Sequence, residues 1–201
     1  MGTDKVTLLD DSTLQAFKTQ YKMDKDFAVG MVGRIEEHKG QHLLIEALAT
    51  LEGVSAFFVG HEMKEGYIET LKEQAKALGI EERVHFLGFM KDPMHFMQAC
   101  DAMVLATPCE TFGLVVIEAM SVGTPVIATK ACGPLEIIED GVNGLLFEKR
   151  DTADLSSKIK VLVQDENFLN KIKVNAIDST NHKFETGIQF EKLKKLFGEV
   201  V

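Results

Sequence analysis

Short apolar runs, each closed by a turn residue and followed by a stretch with helical spacing, recur down this chain. That rhythm is the tightest constraint on its fold. Residues 27–32 (FAVGMV) end at Gly33-Arg34, 56–59 at Gly60, 84–87 at Gly88, and 102–105 open into a loop around Glu110. Further strands are expected at 126–128 and 145–147. Between them lie helical patterns: Leu43, Leu44, Ala47, Leu48 and Leu51 after Gly40, then Ile68, Leu71, Ala75 and Leu78 before Gly79. A short helix is expected over 93–99 and another over 134–138; a longer one is capped by Asp151 or Thr152, with Leu155, Ile159 and Leu162 as its buried stripe. Strand–helix alternation of this kind gives an α/β fold, a Rossmann-like parallel sheet with helices on both faces. Ligands of such open sheets bind outside the carboxyl ends of the strands, so the strand-end residues should converge on one crevice.

The stretch 106–125 (ATPCETFGLVVIEAMSVGTP) reads as strand end, turn and helix. Leu114, Ile117 and Met120 keep helical spacing, and the segment stops at Gly123 before Pro125. Gly113 lets the backbone approach a ligand, and the first turn of a helix offers unpaired N–H groups to an anion. Glu110 and Glu118 would repel a phosphate, so they are read as acceptors for neutral hydroxyls. The loop 33–40 (GRIEEHKG) sets two cations, Arg34 and Lys39, between a strand end and a helix start. It is not a Walker loop. A diphosphate clamp and a pair of solvated cations both fit it, and the clamp gains from the Glu110–Glu118 stretch.

Composition narrows the partners. The chain has 201 residues, a net charge of −9 and no basic block, which argues against nucleic acid and anionic membrane surfaces. Three cysteines, Cys100, Cys109 and Cys132, make no disulfide framework or zinc spacing, and a reducing, cytoplasmic setting fits them. No apolar run approaches the roughly 20 residues of a membrane-spanning helix, although peripheral membrane association of a longer protein stays open.

G-R-I-x-x-x-K-G at 33–40, V-x-F-L-G at 84–88, E-x-F-G-L-x-x-x-E-A at 110–119 and G-T-P-V at 123–126 together resemble the family-4 (group 1) retaining glycosyltransferases. The resemblance is to the C-terminal, donor-binding half of their GT-B fold, over roughly residues 27–162. It implies a nucleotide-diphosphate sugar as donor, with UDP favoured on family frequency, and transfer to a glycan or glycolipid acceptor in polysaccharide biosynthesis. Arg34 and Lys39 would hold the diphosphate and stabilise charge on the leaving nucleotide, and Glu110 would bind hydroxyls of the transferred sugar. Glu118 would take the ribose hydroxyls. Gly33, Gly60, Gly88 and Phe89 would border the nucleotide, and backbone at Phe112, Gly113 and Leu114 would meet sugar and phosphates. The family works without a metal, and no cofactor or side-chain nucleophile is expected.

Two departures stand out. Ala106 and Thr107 occupy positions where the family usually has Pro-Ser, and Cys132 replaces one glycine of a Gly-Gly-x-x-Glu element. The resemblance also implies an amino-terminal acceptor domain that this chain lacks. Residues 1–25 are expected to be a linker or the remnant of an upstream segment, and 26–201 the donor domain with its helical tail. Such a fragment should bind donor and turn over little by itself. A non-catalytic nucleotide-binding module, a sugar-nucleotide epimerase and a phosphorylase are the alternatives. His38 and His42 are read as surface residues, His85 as structural, Cys109 as no nucleophile, and Phe57, Phe58 and Phe86 as core.

Overall fold

The computed structural model describes residues 8–183. Six strands form one parallel sheet: β1 (Phe27–Val32), β2 (Val54–Val59), β3 (Val84–Gly88), β4 (Ala102–Leu105), β5 (Val126–Thr129) and β6 (Leu145–Phe147). Their spatial order is β3-β2-β1-β4-β5-β6. The chain first builds outward from β1 on one side, then crosses back to add β4 on the other, so the order reverses between β1 and β4. The adjacent loops part there and leave a crevice at the strands' carboxyl ends.

Both sheet faces are covered, which is why β2, β4 and β5 are buried along their whole length and read as continuous apolar runs. One face packs under α2 (Gln41–Leu48), α3 (Tyr67–Ala77) and α7 (Thr152–Gln164), around Leu44, Phe58, Leu71 and Leu155. The other packs under α4 (Met94–Ala99) and α5 (Leu114–Ser121), around Phe57, Phe96, Ile117 and Met120. A short α6 (Pro134–Ile137) follows β5, and α8 (Glu166–Lys183) packs against both α5 and α7. The tail residues Phe184, Ile188, Leu193 and Leu196 lie outside the described residues.

Three local differences from the sequence reading have physical causes. The leading stretch is polar and irregular in sequence, with some helical spacing through Leu14, Phe17 and Tyr21, and it holds helix α1 (Asp11–Gln20), whose N-cap Asp10 accepts a hydrogen bond from the Thr13 amide. It docks on α4: Leu9 and Gln98 exchange two hydrogen bonds, and Lys18 pairs with Asp101 at 3.3 Å. The helical spacing in sequence runs from Met63, but helix α3 begins at Tyr67, because Gly66 turns the chain at a φ of 85° and Glu62 takes the Ile68 amide. Strand β2 begins two residues early, since Val54 and Ser55 pair with Phe27 and Ala28.

Candidate functional site

The loops that leave β1 and β4 carry the two stretches singled out by sequence, and the fold brings them into contact. After β1 the chain makes a tight 3-10 turn (Glu37–Lys39), and Gly40, at a φ of 78°, starts α2. After β4 it runs through Thr107 and Glu110 to Gly113, which caps α5 in the left-handed region at a φ of 84°. Lys39 Nζ then lies 3.0 Å from Glu110 Oε2. Beneath that ion pair is a cavity of about 180 Å³ lined by Lys39, Gln41, Thr107, Glu110, Gly113 and Leu114.

Two buried polar atoms among the described residues have no partner, Gln41 Oε1 and Thr107 Oγ1, and both residues line this cavity. Gln41 is held in place because its amide nitrogen donates to the Arg34 carbonyl at 2.9 Å. Buried polar groups are almost always paired, so two unpartnered side-chain atoms on residues that line one small cavity single it out as the candidate site. Sequence reasoning kept the hydroxyl of Thr107 and missed Gln41. Its only signal is a polar residue at the start of a helix.

Of the remaining sequence-derived residues, Gly33 also lines this cavity, and Gly60, Gly88, Phe89, Phe112, Glu118 and Arg34 lie outside its lining. The ends of β1, β2 and β3 are laced together, with Gly33 N–H donating to the Val59 carbonyl and Gly60 N–H to the Gly88 carbonyl. A Cβ at position 60 would fall 1.8 Å from the Gly33 oxygen, so only glycine permits this approach. Phe89, next to Gly88, is 59% exposed and stacks on His61 with ring centroids 4.3 Å apart. Glu118, one turn inside α5, is half-buried; burial first, and Asp92 second, push its pKa up. Phe112 and Leu114 are both largely exposed. Arg34 is outside the cavity lining; its guanidinium pairs with Glu36 at 3.0 Å in solvent.

The histidine and cysteine readings fare differently. His38 and His42 line one larger cavity of about 690 Å³ together with Glu37, Tyr67 and Arg150, and Tyr67 Oη lies 3.3 Å from His42 Nδ1. No cluster of metal-ligating side chains occurs among the described residues. His85 stacks on the core ring of Phe57 at 4.7 Å. Phe57 and Phe58 are fully buried, and Phe86 packs on Phe58 from the edge of the core. The cysteine expectation needs correction: Cys109 and Cys132 are joined in a disulfide, with Cα atoms 5.4 Å apart, while Cys100 is free and buried.

Comparison with known proteins gives this geometry a family. Residues 13–179 match the family described as glycosyl transferases group 1. The chain belongs to that family. It is 32% identical over 171 residues to the lipopolysaccharide core biosynthesis glycosyltransferase LpsE of Rhizobium meliloti, covering 85% of this chain and 48% of that protein. The crystal structure of the Anabaena protein HepE in complex with UDP-glucose superposes with a TM-score of 0.88 at 34% identity, over 94% of this chain and 54% of HepE. The chain thus spans about half the length of these relatives. The half it matches is settled by the C-terminal domain of a group 1 glycosyl transferase (LpcC) from Francisella tularensis, matched in full over 92% of this chain with a TM-score of 0.80 at 29% identity. This is the donor-domain half of a GT-B glycosyltransferase, and no described helix is long and apolar enough to cross a membrane.

Proposed function

We propose that this domain binds a uridine diphosphate sugar at the β1–β4 crevice and serves retaining, metal-independent glycosyl transfer to a glycan or glycolipid acceptor. The observation that carries the reading is the Lys39–Glu110 pair over a cavity holding two unpartnered buried polar atoms. Lys39 supplies a point charge for the diphosphate, and the exposed Arg34, on the same loop, exchanges its Glu36 partner for phosphate oxygens. Negative charge develops on the leaving diphosphate, so these cations act where the transition state needs them. Glu110 accepts hydrogen bonds from the transferred sugar, and Thr107 and Gln41 offer two further polar contacts. Glu118 accepts from the ribose, and the exposed Phe89–His61 stack flanks the base near Gly33, Gly60 and Gly88. The backbone of Phe112, Gly113 and Leu114, at the start of α5, meets sugar and phosphates.

Uridine is favoured as the base because HepE, similar over nearly the whole of this chain, was crystallised with UDP-glucose. Acceptor recognition is assigned to a partner domain, and the reaction to the cytoplasm. Calorimetric titration of the chain with UDP, GDP, ADP and uridine tests the reading. Saturable binding of UDP, much weaker for uridine, is expected; equal binding of UDP and uridine, or none of either, overturns a diphosphate site.

A further inference from the structure

Cys109 and Cys132 are both exposed and sit at the two sides of one loop contact. Cys109 immediately precedes Glu110. Cys132 immediately precedes Gly133, whose N–H donates to the Glu110 carbonyl at 2.9 Å. A Cβ on Gly133 would lie 2.6 Å from the Phe112 carbonyl oxygen, so the segment before α6 is pressed directly against the Glu110 loop. Cys132 itself is held at a φ of 53°, a backbone region that non-glycine residues rarely occupy. A conformation of that kind persists where the surroundings enforce it, and here the neighbouring Gly133 is packed against Glu110 and Phe112. The third cysteine, Cys100, is fully buried and burial pushes its thiol well up, leaving it inert.

We propose that Cys109 and Cys132 form a thiol–disulfide exchange site whose state sets the grip of the Glu110 loop on the donor sugar. Its second half rests on the sugar-binding role proposed above for Glu110. The reductant is a dithiol. Its thiolate attacks one cysteine sulfur, forms a mixed disulfide and expels the other cysteine as a thiolate, which takes up a proton. The second sulfur of the dithiol then attacks the mixed disulfide and leaves as the oxidised dithiol, so that two electrons pass to the protein and two cysteine thiols result. Oxidised glutathione runs the sequence backwards and releases two glutathione thiols. Cytosolic disulfides are usually transient and redox-sensing, which matches an exposed bond beside a ligand loop.

The test begins with the full chain equilibrated in dithiothreitol or in oxidised glutathione, alkylated and analysed by mass spectrometry. Labelling of Cys109 and Cys132 only after reduction, with Cys100 silent until denaturant is added, is expected. Native protein in which the pair does not interconvert overturns the exchange site. Both forms are then titrated with UDP and UDP-glucose. Reduction should weaken UDP-glucose about tenfold, the worth of one charge-assisted hydrogen bond, and change UDP by less than about twofold. Equal UDP-glucose affinity in the two states, with UDP bound, overturns the coupling to the sugar. If neither form binds any nucleotide, the donor-site reading has failed by itself. Amide hydrogen exchange over residues 108–114 then decides: faster exchange on reduction upholds the control of the loop, and unchanged exchange overturns it. The double variant C109S/C132S should behave as the reduced form and ignore oxidant; should it not fold, the wild-type measurements stand alone.

Discussion

Lys39 Nζ stands 3.0 Å from Glu110 Oε2 and ties the loop after β1 to the loop after β4, where the strand order of the sheet reverses. Their side chains are 20% and 27% exposed, so the pair is partly solvated and contributes only about 0–1 kcal/mol to stability. Its weight falls on binding. In the empty site each charge neutralises the other, and an incoming diphosphate must compete with Glu110 for the ammonium. Removing the carboxylate charge with Glu110→Gln is therefore expected to tighten UDP several-fold while lowering the ratio of UDP-glucose to UDP affinity. Titration of the variant with both ligands checks this. A parallel loss of both would mean that Glu110 serves the loop's shape and not the sugar.

Thr107 offers a cleaner separation of binding from stability. Its hydroxyl is buried without a partner, so the empty fold bears its desolvation and gains no hydrogen bond. Thr107→Val keeps the shape and removes that oxygen. The variant should unfold at the same or higher denaturant, by up to about 1 kcal/mol, and should bind the donor about 1 kcal/mol more weakly. Urea titration and calorimetry on one preparation read both. A destabilised variant would show that the hydroxyl finds a water or protein partner in the empty state.

Glu118 gives a pH dependence whose sign can be worked out. Burial and Asp92 hold its folded-state pKa above the ordinary value of 4.5, so the native state binds this proton more tightly than the unfolded chain. Stability from this group is full below 4.5, falls as pH rises toward the raised value, and is constant beyond it. Glu118→Gln should remove that slope and raise the urea midpoint at pH 7 relative to wild type, yet weaken UDP by about 1–3 kcal/mol. A 2′-deoxy nucleotide bound as tightly as UDP by the wild type would remove the ribose from the account.

Much of this was legible along the chain, for a definite reason. Strands buried on both faces read as unbroken apolar runs, and β1, β4 and β6 begin and end where those runs do. The loops that meet at the crevice were marked by glycines and charges placed at strand ends. What escaped depends on distance in sequence. The Cys109–Cys132 bond spans 23 residues and follows from two loops packing together, which no local pattern records. Gln41 looks like any polar residue at a helix start until its amide is seen anchored to the Arg34 carbonyl. Arg34 and Lys39 looked equivalent in the loop, but the turn at Glu37–Lys39 sends only Lys39 into the cavity lining.

Arg83 supplies the control for every binding prediction, because it is a charged residue with a purely architectural role. Its guanidinium, in the turn that leads into β3, donates to the carbonyls of Leu51 at 2.7 Å, Val54 at 3.0 Å and Leu48 at 3.2 Å. These three oxygens belong to the end of α2, the connection after it and the start of β2, so one side chain closes the α2–β2 connection against the sheet edge. Arg is suited to this because its planar fork reaches several acceptors at once, whereas a lysine offers a single point charge. Arg83→Ala leaves those carbonyls to water or to nothing, and should cost about 2–3 kcal/mol of folding stability. Arg83→Lys should recover only part of it. Neither variant should change UDP affinity at temperatures where it is folded, since the residue lies at the opposite end of β3 from Gly88 and Phe89. Thermal unfolding with and without UDP separates the two effects: the variants' midpoints should drop while the ligand-induced shift is preserved. Loss of that shift in a folded Arg83→Ala protein would mean that the β3 edge is coupled to the crevice.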